Sequence, residues 1–372
     1  MLAGTRYQET SLLVRYRKTK NGKREKLATI YGVEDHGIYK NQLDRAALSV
    51  IGRLHRTGHG AYVVGGAVRD LMLGKTPKDF DVVTDAPPRR IRRLFRNSRI
   101  IGNRFQLVHV YFKDTIIEVS TFRSASGEPH ENIFGTMSDD VWRRDFSANA
   151  LYYDPERERI IDYVGGFDDI RAKRLRALAP IEASFLEDPV RMIRALRYAA
   201  TTGFDLYGKI SKNIRKRGEL ILECPVSRLT EELFKILGSG ESSGFFRSAS
   251  EHGLLQYLLP NIDALINGKN SPIDSADFYE ALGELDRDVL QKAEVKKGRM
   301  LAALTAPLLA QEIEREGAGT ILRRDVFHRI KELVAPLTPP NLEVDMAAAR
   351  VLGISPPRKR KKRRGRSSNT KS

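Results

Sequence analysis

Asp79-Phe80-Asp81 is the pair of side chains in this chain best suited to chemistry. On a β-strand, residues i and i+2 project from the same face, which sets two carboxylates side by side. Like charges at that spacing repel unless a cation holds them. Hard oxygen ligands beside a polyphosphate suit magnesium, and two-metal phosphoryl transfer needs carboxylates that bind or bridge the ions. Upstream, Gly65-Gly66 lies in the run Val63 to Thr84, which reads as a strand, a glycine turn, a helix and a second strand. Glycines there let backbone amides approach a phosphate at the start of a helix. A surface Asp pair beside a turn is the bland alternative, and a double glycine alone says little; their succession carries the argument. Phosphoryl transfer needs in-line geometry more than a covalent nucleophile, so no Ser or His is required.

Two residues are candidates for a third carboxylate. Glu118 interrupts the apolar run Ile116-Ile117-Glu118-Val119, and Asp145 follows two arginines in Arg143-Arg144-Asp145. Glu118 could equally be an outward strand position, and Asp145 an ion-pair partner of its arginines. Arg123, Arg143 and Arg144 offer planar donors for phosphate or ribose, and Asn149 an amide for sugar hydroxyls. Downstream, Glu187-Asp188-Pro189-Val190-Arg191 begins a helix that sets Asp188, Arg191, Arg194 and Arg197 at spacings of three. Three arginines on one face point to a nucleotide site, or else to an intrahelical salt-bridge ladder. His109 has no second His or Cys at metal-binding spacing and reads as structural.

The elements that must position these groups follow from pattern. Periodicity predicts a helix from Asn41, strands at Tyr62–Val64, Phe80–Val83, Leu107–Phe112, Ile116–Phe122, Ala150–Tyr153 and Ile160–Val164, and a helix at Pro88–Phe95. After Gly165-Gly166 the pattern turns helical, with Asp188–Ala200, Ser227–Leu237 and Ser243–Leu255 all apolar at three- and four-residue intervals. The expected organisation is a basic N-terminal extension over 1–40, a mixed α/β head over 41–170, a helical neck over 171–240, a helical body over 241–350 and a disordered basic tail over 351–372. The body carries no motif beyond its periodicity.

Composition bounds the partners. The 372 residues are 41% hydrophobic and carry a formal charge of +17, which favours a polyanion such as nucleic acid. Nine Lys or Arg fall in residues 358–372, leaving +8 on the rest. The run Arg358, Lys359, Arg360, Lys361, Lys362, Arg363, Arg364 is expected to hold RNA, or else merely to solubilise the terminus. No apolar run is long enough to span a membrane, and Met1–Leu13 lacks a signal-peptide core. The single Cys224 lies in an apolar run and reads as packing in a reducing compartment, which together with the missing leader suggests the cytoplasm.

Taken in order, Gly65-Gly-Ala-Val-Arg-Asp70, Asp79-Phe-Asp81, Arg143-Arg-Asp145, Asp162-Tyr-Val-Gly-Gly166, Glu187-Asp-Pro-Val-Arg191 and Ser227-Arg-Leu-Thr-Glu-Glu232 resemble the motifs of class II tRNA nucleotidyltransferases and bacterial poly(A) polymerases. The resemblance runs over roughly 60–235. It implies an α+β fold: a polymerase-β-like head with a mixed sheet, then all-helical neck and body domains. It further implies Mg2+ on Asp79 and Asp81, nucleotide contacts from Gly65, Gly66, Arg69, Arg144, Asp188, Arg191 and Arg194, and Asp145 rather than Glu118 as the third catalytic residue. Asp188 and Arg191 would read the base edge. The segment Gly102 to Val110 is similar to the Gly-Arg-Arg-Phe-x-Leu-x-His-Val pattern of poly(A) polymerases, with Asn103 in place of one arginine, and the basic tail is like theirs. The implied activity is addition of AMP from ATP to RNA 3′ ends by a monomer without membrane partners. CCA addition to tRNA from CTP and ATP is the first alternative, and an inactive RNA-binding protein of the same fold the second.

Overall fold

The computed structural model describes residues 13–18, 24–102, 106–124, 134–268, 274–291, 294–316 and 321–355. The basic run 358–364 and Asn103 lie outside the described residues.

Two compact units share these residues. Described residues up to Arg191, with Thr202–Asn213, form one; Met192–Thr201 and the described residues from Ile214 onward form the other. The first is built on β1 (Leu13–Lys18), β2 (Arg24–Tyr31), β3 (Ala61–Val64), β4 (Asp81–Thr84), β5 (Ser98–Ile101), β6 (Leu107–Tyr111), β7 (Ile116–Thr121), β8 (Leu151–Asp154) and β9 (Arg159–Asp162). They make one sheet in the order β1-β2-β9-β8-β3-β4-β7-β6-β5. The β4–β7 pairing is parallel and the others are antiparallel, which makes the sheet mixed, as expected.

Helices cover this sheet through apolar stripes. In α1 (Arg45–Arg56), Ala47, Val50, Ile51 and Leu54 are buried, and Asp44 caps the start by accepting from the amides of Ala46 and Ala47. α2 (Gly66–Met72) buries Ala67, Val68 and Leu71, and α3 (Pro88–Leu94) starts on a proline whose missing N–H costs nothing there. A buried cluster of Ala28, Val64, Val83, Phe122, Val141, Ala150, Tyr152 and Ile161 ties strands, and the short helix α4 (Met137–Val141), into one core.

The N-terminal extension is corrected by this core. Thr29, Ile30 and Tyr31 pair with Asp162, Ile161 and Ile160, Ala28 is 2% exposed, and the Tyr31 ring stacks on Phe167 at 3.8 Å. Residues 24–31 are therefore a strand of the head sheet. The apolar run Leu27 to Tyr31 outweighs the lysines before it. The neck expected over 171–240 is likewise divided, its earlier part lying mostly with the sheet and residues from Ile214 with the helices.

In the second unit, α5 (Val226–Leu237) and α6 (Ser242–Glu251) lie close to the spans that periodicity predicts, and α7 (Ser275–Gln291) and α8 (Lys297–Glu316) follow them. Phe246 meets Phe245 and Phe278 edge-on at 5.5 and 5.7 Å, and buried Asp286 accepts from the Ser242 and Ser243 amides, closing the start of α6. Cys224 is buried, in keeping with a packing role. Among the described residues no helix is long and apolar enough to cross a membrane.

Candidate active site

Asp81 opens β4 opposite Val64, the last residue of β3. Regular pairing begins at Asp81, so Asp79 precedes the strand proper. Gly65 follows Val64 with φ +78°, a conformation that side chains seldom adopt. A Cβ there would stand 3.7 Å from Asp81 Oδ2 and 4.0 Å from an Arg144 guanidinium nitrogen. The glycine thus leaves bare backbone between a carboxylate and a cation.

Glu118 joins them from β7. Val82 pairs in parallel with Val119, which brings Glu118 level with Asp81 one step earlier in each strand. Crowding by protein atoms, then the negative charge of Glu118, raise the Asp81 pKa from 3.8 to about 6; Arg144 opposes the rise and Asp79 adds to it. Asp81 is nonetheless exposed by surface area, so its carboxylate stands in a crowded mouth rather than a sealed cavity. His109, opposite Glu118 in register, places Nε2 3.1 Å from Glu118 Oε1.

This donor set fits magnesium. Among the described residues no three His, Cys, Asp or Glu side chains gather tightly enough to cage an ion alone. Mg2+ usually keeps waters and takes only one or two carboxylates plus substrate phosphates, so an open acidic mouth suits it. A divalent cation would also relieve the unfavourable charge at Asp81.

Arg144 is held from behind by groups that sequence reasoning missed. Its guanidinium donates to Asp140 Oδ2 at 2.8 Å and its Nε to the Tyr152 hydroxyl at 3.2 Å, while Tyr152 also donates to Asp140 Oδ2 at 2.8 Å. Tyr152 is fully buried, and burial pushes its phenol well above the usual range, so it stays protonated as a donor. No local motif in the sequence marks Asp140 for this role.

Asp145 enters a different arrangement. It is 7% exposed, and Oδ1 accepts from the Phe146 amide at 2.9 Å and from Asn149 Nδ2 at 3.4 Å. Asn149 Oδ1 in turn accepts from Arg69 at 2.7 Å, and Arg69 also grips Asp70 at 2.7 and 2.9 Å. Gly66 lies against Arg69, where a Cβ would come 3.5 Å from its terminal nitrogen. The charges acting most strongly on Asp81 are those of Glu118, Arg144 and Asp79 rather than Asp145.

The turn carrying Asn149 is fixed from Asp162. Its Oδ1 accepts from the amides of Val164, Gly165 and Gly166 at 2.9, 2.9 and 3.1 Å, and Oδ2 from Phe167 at 3.0 Å. Gly166 then presses on Ser147, where any Cβ would lie 2.2 Å from its carbonyl oxygen. The Asp-x-x-Gly-Gly motif is thereby an anchor.

Of the downstream group, Asp188 ends the helix Ile181–Glu187, and Arg191 donates to Glu187 at 2.8 Å and to Ser184 Oγ at 3.0 Å. In the second unit Arg194 donates to the Tyr198 hydroxyl at 3.2 Å, and Arg197 reaches Glu232 at 3.4 Å. Salt bridges therefore engage Arg191 and Arg197, but both acids lie outside the helix Val190–Thr202 that carries these arginines, so the pairs are not an intrahelical ladder.

Residues 61–176 match the poly A polymerase head domain, and 203–266 match a segment described as the probable RNA and SrmB-binding site of polymerase A. The chain is 38% identical over 313 residues to poly(A) polymerase I of Escherichia coli, covering 78% of this chain and 67% of that protein.

This chain belongs to the poly(A) polymerase family.

The Salmonella typhimurium poly(A) polymerase I is 37% identical over 307 residues, covering 77% of this chain and 66% of that protein. The chain thus spans about two thirds of the length of these curated relatives. A CC-adding tRNA nucleotidyltransferase of Halalkalibacterium halodurans is 38% identical over 202 residues, 54% of this chain and 51% of that one. Among solved structures, the Bacillus stearothermophilus CCA-adding enzyme in complex with CTP is similar, with TM-score 0.56 and 27% identity over 83% of this chain and 78% of that one. The family membership and α+β fold implied by the ordered motifs are thereby shown.

Proposed function

We propose that this chain is a template-independent polynucleotide adenylyltransferase, adding AMP from ATP to RNA 3′ ends and releasing pyrophosphate. The observation that carries the reading is the acidic mouth of Asp79, Asp81 and Glu118 against the Gly65 turn, with Arg144 facing it across bare backbone. Asp79 and Asp81 would hold magnesium, which supplies positive charge to the attacking and leaving oxygens. Glu118 takes the third carboxylate role, since it lies level with Asp81. Arg144 faces the phosphates or ribose, and Arg69, Asn149 and Asp145 brace the floor under the Gly66 turn. By family resemblance, Asp188, Arg191 and Arg194 select the base, and residues 358–364 hold RNA by charge.

Longer matches to poly(A) polymerases than to the CC-adding relative favour adenylate addition. The likeness to a CTP-bound CCA-adding structure favours the rival, CCA addition to tRNA. Purified protein offered each labelled nucleotide separates them: AMP incorporation on generic RNA 3′ ends is expected, and CMP incorporation on tRNA lacking its CCA end would overturn the assignment. Absence of incorporation with any metal, alongside intact RNA binding, would support an inactive RNA-binding protein instead. Removing 358–372 is expected to weaken RNA binding and flatten its salt dependence.

A further inference from the structure

Trp142 is the only tryptophan of the sequence and is 54% exposed, and Phe134, tied to the same Arg123–Ser124 segment as the neighbours of Trp142, is 49% exposed. Isolated exposed aromatics need no explanation, but these are held by a built framework. Phe134 bridges to Arg123, and the Gly135 amide donates to the Phe122 carbonyl at 3.0 Å. A Cβ at Gly135 would come within 2.7 Å of the Arg123 carbonyl and the Ser124 backbone, so only glycine lets the two segments touch. From the other side, Asp140 Oδ1 accepts the Arg123 amide at 3.3 Å and Arg143 donates to the Ser124 carbonyl at 2.7 Å. Trp142 sits in sequence between these two anchors. Its backbone is ordered before any partner arrives, which lowers the entropy cost of binding through its ring.

Charge identifies the partner. Burial lowers the Arg123 pKa, Asp140 offsets that, and Arg143 and Arg144 lower it further, which puts three guanidiniums in one neighbourhood. Flat aromatic surface beside excess guanidinium charge matches single-stranded nucleic acid, whose bases stack while its phosphates meet arginine. The same Arg144 flanks the Gly65 turn and Asp81, so this segment adjoins the acidic mouth.

We propose that Trp142, supported by Phe134, is a stacking platform for a base of the RNA strand whose 3′ end is extended at Asp81. The proposal rests on the reading of RNA as acceptor. Because Trp142 is the sole tryptophan of the 372 residues, its emission in this chain reports the contact directly. Titration with a short single-stranded oligoadenylate at about 0.3 M salt, where phosphate-only binding is weak, is expected to quench it saturably, with no quenching by ATP alone. Trp142→Leu is expected to raise KM for RNA about tenfold while kcat and KM for ATP stay within about twofold; Trp142→Phe restores most of the loss, and Phe134→Leu costs less. Emission unmoved by RNA, emission quenched by ATP alone, or an unchanged RNA KM in a folded Trp142→Leu protein would each overturn the platform. A wild type that is quenched by RNA yet transfers no nucleotide sinks the transferase reading and leaves the platform standing. AMP transfer with wild-type RNA KM in Trp142→Leu does the reverse.

Discussion

Asp140 Oδ2 lies 2.8 Å from the Arg144 guanidinium and shares the same atom with the Tyr152 hydroxyl at 2.8 Å. One buried oxygen therefore fixes the direction in which a cation is presented to the Gly65 turn. Asp140→Asn weakens that hold without emptying space, and a charge-assisted bond of this kind contributes about 1.5–3 kcal/mol. The expected result in steady-state assays is KM for ATP raised about tenfold, with a smaller rise for Tyr152→Phe. An Asp140→Asn enzyme with unaltered KM for ATP would show that Arg144 needs no brace.

Glu118 and Asp145 are separable by substitution. If Glu118 is the third carboxylate, Glu118→Gln lowers kcat by about a hundredfold or more while leaving RNA affinity intact. Asp145→Asn, acting through Asn149 and Arg69, should fall mainly on KM for ATP. The opposite split would return the catalytic role to Asp145, as the family resemblance implies.

The raised Asp81 pKa has a definite pH signature in metal-free protein. Folding moves it from 3.8 to about 6, so the folded chain binds this proton more tightly than the unfolded one. The favourable contribution is present in full below 3.8 and is lost as pH rises through 6. Asp81→Asn lacks the penalty of ionisation. Its melting temperature should exceed that of wild type at about pH 8, with the gap closing toward about pH 4. Added Mg2+ should stabilise wild type more than the variant; a gap that does not vary with pH would assign the effect to something other than this carboxylate.

Gly166 tests the anchor beneath the turn that carries Asn149. Alanine there drives a Cβ to 2.2 Å from the Ser147 carbonyl, and backbone must move. A loss of about 1–3 kcal/mol in denaturant unfolding is expected, together with a higher KM for ATP because Asn149 shifts with Ser147. Wild-type stability would mean that the turn adjusts freely.

Much of the candidate site was legible in sequence because its determinants are local. Asp79 and Asp81 are two residues apart, Gly65 needs a positive φ just after a strand, and Asp162 finds its amides within five residues. What stayed open or escaped, the choice between Glu118 and Asp145 and the part played by Asp140, was set by distant pairing. Glu118 is level with Asp81 only through the parallel β4–β7 register, and Asp140 acquires its role through Tyr152 on another strand. The first strands were hidden for a different reason: the Lys and Arg preceding Leu27 dominate local composition, whereas the short apolar run after them decides burial.

That strand carries a consequence for handling the protein in pieces. β2 covers the outer hydrogen-bonding row of β9, the strand that ends at Asp162. A fragment beginning near residue 41 would leave that row open, and an uncovered row of amides and carbonyls is a template for another chain. Such a fragment is expected to associate with itself and elute ahead of its monomer mass in size-exclusion chromatography, so the opening strands act as a guard against aggregation as well as a part of the sheet.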